Sequence, residues 1–274
     1  MDYYTSEKIN DHITLIRSRA GELLYLIQGS QKAALIDTCV GIGHLKAYVS
    51  RLTDKPVTVL LTHGHVDHAM GAPEFEEVYM NLKDLPVYQK QCCLEERMGY
   101  IGACLGPAID EVDPAADLVP SVPDYIFRPL DHGDSFDLGG IHIDACALYG
   151  HTPGCMVFLI REDRILILGD ACCNSTFLFT EESLPLARYR ENLKAARDYL
   201  TGRYDRVFLS HHDMETGCDI MDNVLEVIDE VMAGGGDNLP YDFMGYKAYI
   251  AKDCNECFQR RDGKCGNIIY PAAR

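Results

Sequence analysis

Apolar, often β-branched residues recur in short runs along the chain: Ile13 to Ile16, Leu23 to Ile27, Ala33 to Ile36, Val57 to Leu61, Ile141 to Leu148, Met156 to Ile160, Ile165 to Leu168 and Val207 to Leu209. Runs of this length and composition predict strands. Three longer stretches repeat their apolar residues every three or four positions, the period of one helix face. They are Leu45, Tyr48, Val49 and Leu52; Leu186, Tyr189, Leu193, Ala196 and Leu200; and Ile220, Val224, Val227, Ile228 and Val231. Several strands are consecutive and helices enter only at intervals, so the pattern predicts a mixed α/β protein rather than a strict strand–helix alternation. No internal repeat or low-complexity linker is visible, and residues 1–274 read as one domain. One stretch breaks the rhythm. From about 99 to 124 the chain is rich in Gly, Pro, Ala and acids, which reads as an irregular excursion, either a surface loop or a lid over a pocket.

Composition narrows the function classes. The 25 Lys and Arg against 42 Asp and Glu leave a net charge of −17, with 47% apolar residues. A phosphate backbone is repelled by such a chain, and no clustered Lys and Arg offer a local exception, so a nucleic-acid partner is not expected. The opening residues lack the basic start and apolar stretch of a secretory signal. No run of about 18 apolar residues follows, so no membrane partner is expected. A cytoplasmic protein is the expectation, with most of the twelve cysteines reduced and acting as small apolar side chains.

The chemistry concentrates at strand ends. Leu60-Leu61-Thr62-His63-Gly64-His65-Val66-Asp67-His68 places four metal-competent side chains in six positions directly after an apolar strand. His63 and His65 sit two apart and can share one direction, while Asp67 and His68 reach onward. Imidazole suits zinc, iron, nickel or copper, and a carboxylate adds a hard donor, so two divalent ions are within the capacity of the set. Three later segments repeat the arrangement: Gly150-His151-Thr152-Pro153-Gly154, Leu168-Gly169-Asp170, and Leu209-Ser210-His211-His212. Each is weak alone; together they supply His63, His65, Asp67, His68, His151, Asp170 and His211.

In their order and spacing, H-x-H-x-D-H, G-H-T-P-G, L-G-D and the strand-terminal His, with the early Ile36-Asp37-Thr38, resemble the metallo-β-lactamase fold superfamily of metal-dependent hydrolases. The resemblance runs from roughly residue 12 to 232. It implies an αββα sandwich of two mixed β-sheets flanked by helices. It further implies that His63, His65 and His151 bind one ion, that Asp67, His68 and His211 bind a second, and that Asp170 bridges them. His212 competes with His211 for the last position. Asp37 is expected to support the histidine loop rather than to bind metal. The ions are expected to be zinc, with iron or manganese as options. The implied reaction is attack by a metal-bridging hydroxide on the carbonyl of a small ester, thioester or lactone, with Asp67 and Asp170 as the catalytic carboxylates.

Departures from the family's branches shape the expectation. Asp170 stands where many true metallo-β-lactamases carry another residue, which disfavours antibiotic hydrolysis. His65 is not Glu and no flavodoxin-like half follows, which counts against flavodiiron reductases. Glyoxalase II-like enzymes and quorum-quenching lactonases resemble the site more closely. The former's basic glutathione-binding segment is not recognisable after Asp170, and the latter's Tyr is replaced by Cys173. The reading is therefore a small-molecule hydrolase of the glyoxalase II or lactonase-like branch, with self-association left open. Two other readings stand beside it: a persulfide dioxygenase holding a single iron on His63, His151 and Asp170, and a non-catalytic metal-binding protein. The extension from about 240 to 274 carries Cys254, Cys257 and Cys265, for which packing within two pairing segments, a structural metal and redox sensing are the alternatives. Cys172 and Cys173 follow Asp170 and are placed to line a pocket.

Overall fold

The structure, a computed structural model, describes residues 3–243 and 245–271. The contacts within the chain divide it into two compact units, residues 1–144 and 145–274, where the sequence reads as one domain. In the first unit a seven-stranded sheet runs in chain order: β1 (Tyr4–Lys8), β2 (Ile13–Ser18), β3 (Leu23–Gln28), β4 (Ala33–Ile36), β5 (Val57–Leu60), β6 (Val78–Met80) and β7 (Arg128–Pro129). The first four pair antiparallel and the rest parallel, so the sheet is mixed. The central strands β3 and β4 are buried almost throughout, as continuous apolar runs require. At the edge, β1 buries only Tyr4 and exposes its next four residues. That polar face conceals the strand from a hydropathy reading.

Helices α1 (Leu45–Val49), α2 (Val66–Ala69), α3 (Leu85–Gln91), α4 (Leu94–Leu105) and α5 (Pro114–Asp117) complete this unit. The 99–124 segment, expected to be irregular, is largely helical: α4 runs through Gly99 and Gly102, a 3-10 helix covers Gly106–Glu111, and α5 follows. A glycine inside a helix costs only about 1 kcal/mol against alanine. Burial of Ile101, with Met98 and Leu105 packed on the same core, outweighs it.

In chain order the remaining strands are β8 (Ser135–Asp137), β9 (His142–Ala147), β10 (Met156–Ile160), β11 (Ile165–Ile167), β12 (Thr176–Phe177), β13 (Arg206–Phe208), β14 (Glu215–Thr216), β15 (Leu239–Phe243), β16 (Tyr246–Ile250) and β17 (Ile268–Pro271). The boundary between the units falls inside β9. In the second unit β10 pairs antiparallel with β11, β11 parallel with β13, and β13 antiparallel with β14. A further sheet runs in the order β12-β17-β16-β15. Helices α6 (Leu186–Leu200) and α7 (Ile220–Met232) pack on one another through the faces that the periodicity predicts, burying Tyr189, Leu193, Ala196 and Leu200 from α6 and Ile220, Val224, Val227 and Ile228 from α7. Among the described residues no helix is long and apolar enough to cross a membrane.

The cysteine-containing extension lies in this last sheet. β16 and β17 pair antiparallel, and the cysteines sit in or beside the connection between them. Cys254 bridges to Arg260, whereas Cys265 is placed elsewhere, its Sγ 3.4 Å from Asp219 Oδ1. The three therefore do not share one metal site among the described residues.

Candidate metal centre

In the first unit, β5 delivers the chain into a turn, Leu61 to His65, and α2 begins at Val66. The turn is held tightly. Gly64 N donates to Asp84 Oδ2 at 3.0 Å, and Val66 N to Gln91 Oε1 at 2.8 Å. A side chain at Gly64 would bring its Cβ within 2.7 Å of the Asp84 carbonyl oxygen, so only glycine lets the loop approach that closely.

Asp37 is the hub of the cluster. It follows β4 with a left-handed φ of 63°, a conformation Asp tolerates better than most residues. Its carboxylate accepts from Thr62 N at 2.7 Å, from Thr62 Oγ1 at 2.8 Å and from His68 Nδ1 at 2.8 Å. Because Thr62 Oγ1 gives its single proton to Asp37, it accepts from His63 Nδ1, 3.0 Å away. This chain of donors assigns the proton of both His63 and His68 to Nδ1 and leaves each Nε2 lone pair available as a ligand. His63 Nε2 faces His65 Nδ1 at 3.0 Å, and His68 Nε2 lies 3.6 Å from Asp67 Oδ2. His63, His68, Thr62 and Asp37 are all at least 98% buried, whereas the Asp67 side chain keeps 15% of its surface in solvent.

In the second unit the donors come from three strand ends. His151 lies in the turn after β9, and its Nδ1 donates to the Phe177 carbonyl at 2.7 Å, which places the ring proton on Nδ1. Asp170 follows β11 and Gly169; its Oδ2 lies 3.9 Å from His151 Nε2 and 3.4 Å from His211 Nε2. His211 follows β13. Its neighbour His212 has a left-handed φ of 56° and turns its ring onto Phe258, with centroids 5.6 Å apart. Burial and the adjacent His211 hold the His212 imidazole below its ordinary range. Of the two cysteines beyond Asp170, Cys172 is fully buried. Cys173 is half-buried, and desolvation together with the Asp170 charge pushes its thiol up to about 12, so it is not a reactive thiolate.

Tyr189 ties two of these turns together. Its ring occupies the space that a Cβ at Gly150 would enter, 2.0 Å from Tyr189 Cδ2, and its hydroxyl donates to the Ala171 carbonyl at 2.8 Å. One buried helix residue thus braces both the turn before His151 and the turn after Asp170. Helix periodicity marks Tyr189 only as a core residue; nothing in the linear pattern announces the second role. Thr62 and the Phe177 carbonyl were equally invisible in the sequence.

The donor geometry fits divalent metal. Nitrogen or oxygen ligands about 2.0–2.2 Å from one ion stand roughly 3.0–3.5 Å from each other. The His63–His65 and His211–Asp170 separations fall in that range, His68–Asp67 slightly beyond it, and His151–Asp170 is the longest. Each unit therefore contributes His and Asp donors at separations suited to a divalent ion.

Mixed sheets whose strand ends present His and Asp donors define an α/β protein equipped to bind divalent metal. The chain belongs to the metallo-beta-lactamase superfamily, whose model matches residues 21–211. Among its relatives, lactamase-like protein nscB of Trichophyton rubrum is 25% identical over 178 residues, 64% of this chain and 44% of that protein. The probable metallo-hydrolase YqgX of Bacillus subtilis is 27% identical over 135 residues, 47% of this chain and 56% of that protein. The matched region thus spans about half the length of these relatives. Solved structures agree on the fold. A metallo-beta-lactamase from Pontibacter korlensis superposes with a TM-score of 0.57 at 15% identity, covering 82% of this chain and 99% of its own. The sec-alkylsulfatase Pisa1 from Pseudomonas sp. gives 0.61 at 16% identity, covering 84% and 42% respectively.

Proposed function

We propose that this chain is a hydrolase of small esters, thioesters or lactones that works through a two-ion centre. In this reading His63, His65 and His151 would hold one ion, Asp67, His68 and His211 would hold the other, and Asp170 would serve both. The donors that support it are His63, His65, Asp67 and His68 in the first unit and His151, Asp170 and His211 in the second. The observation that carries the reading is the Asp37 hub, because protons held on the Nδ1 atoms of His63 and His68 leave the lone pair of each ring on Nε2, the arrangement a metal-binding histidine takes.

Two divalent ions, zinc first and iron or manganese as options, would supply Lewis acidity for activating water and polarising a carbonyl. The chain's own residues do the rest. Asp67, the most exposed donor of the His63–His68 segment, is placed to accept the proton of the attacking water at Oδ1 or Oδ2 and return it to the leaving group. Asp37 fixes the histidine rings, so no reorientation accompanies the reaction.

The test is elemental analysis of the purified chain beside a screen of esters, thioesters, lactones and persulfides. Two ions with hydrolysis is the expected result. A single redox-active iron with oxygen consumption on a persulfide would overturn it in favour of a dioxygenase, and bound metal with no turnover on any class would leave a non-catalytic metal-binding protein.

A further inference from the structure

Six aromatic rings gather in the second unit: Phe177 in β12, Phe179 just beyond it, Tyr241 and Phe243 in β15, Tyr246 in β16, and Phe258 in the connection to β17. Phe177 is central, with ring centroids 4.9 Å from Phe179, 5.6 Å from Phe243, 6.0 Å from Tyr241 and 6.3 Å from Phe258. Tyr241 and Phe243 stand two apart on one strand and share a face, their rings within 7° of parallel. Phe177, Tyr241, Phe243 and Phe258 are only half-buried, so the cluster packs on itself and still offers ring surface outward.

Three contacts attach this surface to the donor turns. The Phe177 carbonyl is the acceptor that orients His151, at 2.7 Å. Phe258 packs on His212, next to His211. Gln259 Nε2 donates to Asp213 Oδ2 at 2.9 Å, fastening the Phe258 loop to the same turn. Asp242, between Tyr241 and Phe243, alternates to the other side of β15 and pairs there with Lys247. An apolar patch rimmed by polar groups and continuous with donor turns is a binding surface for an apolar group, and aromatic rings give large contact area at low entropic cost.

We propose that these rings form the wall that receives the apolar acyl arm, alkyl or aryl, of the substrate, so that the chain prefers medium-chain or aromatic acyl compounds over acetyl ones. This rests on the hydrolase reading above, and the test is built to fail separately. Binding of N-methylamides of straight-chain acids from acetyl to octanoyl, which are not turned over, is measured by calorimetry on the full metal-loaded chain, beside hydrolysis of the matching esters. In the wild type the dissociation constant should fall about threefold per added methylene over the first several. In Tyr241→Ala and Phe243→Ala the octanoyl-to-acetyl preference should drop about tenfold, with Phe243→Leu recovering part of it. Tyr199→Ala, on the exposed face of α6, should keep the wild-type trend.

A trend unchanged in both alanine variants overturns the wall, even where esters are hydrolysed. A wall-dependent trend in amide binding without hydrolysis of any ester upholds the wall and overturns the hydrolase reading. A dimer in light scattering that both alanine variants dissolve, with no chain-length trend, would make the patch a self-association surface and also overturn the proposal.

Discussion

The donors of the two units are organised on different principles. In the first, His63, His65, Asp67 and His68 come from one continuous segment, and a single buried side chain, Asp37, sets the proton positions of two of them. In the second, His151, Asp170 and His211 come from three separate strand ends, and their side chains grow more exposed in that order, from 5% to 18% to 25%. Here the braces are a backbone carbonyl, that of Phe177, and a helix tyrosine, Tyr189. A cluster governed by one carboxylate can be undone by one substitution. A cluster assembled by sheet topology has no single orienting side chain, and its geometry loosens turn by turn.

That contrast can be broken most forcefully at Asp37. Asp37→Ala strands three buried donors, each costing about 1–3 kcal/mol, so stability should fall by about 3 kcal/mol or more and metal affinity by about 10–100-fold. Urea denaturation of the metal-free chain and competition with a chelator measure the two effects apart. A substitution that left both unchanged would show that the hub is not a hub.

The second unit should respond through its turns. Gly150→Ala drives a Cβ into the Tyr189 ring, and the repacking should cost about 1–3 kcal/mol in denaturant unfolding. Tyr189→Phe keeps the ring and removes only the bond to the Ala171 carbonyl, for a smaller loss of about 1 kcal/mol. Equal losses in the two variants would mean that the hydroxyl, and not the packing, holds the turns.

The same contrast explains which elements the linear pattern announces. The apolar runs Ala33 to Ile36 and Met156 to Ile160 are strands β4 and β10 to the residue, because strands buried on both faces carry their signal in hydropathy alone. β1, polar outward, carries none, and β15 breaks its apolar residues with Pro240 and Asp242. The Gly- and Pro-rich segment near 99–124 misled for the opposite reason, since tertiary burial of Ile101 overrides local propensity. Among the donors, the contiguous histidine segment is visible at once, while His151, Asp170 and His211 gain meaning only as an ordered set. The groups that orient them, Thr62, Tyr189 and the Phe177 carbonyl, depend on which elements meet in space and leave no linear trace.

The central proposal is a two-ion centre that depends on Asp170. Metal content of the purified wild type and of Asp170→Ala, determined side by side by elemental analysis, tests it most directly. The account predicts two divalent ions per chain in the wild type and one or fewer in the variant, with kcat/KM reduced by more than about 100-fold, beyond what loss of an orienting partner alone would cost. One ion per chain in the wild type, undiminished in Asp170→Ala, would contradict it.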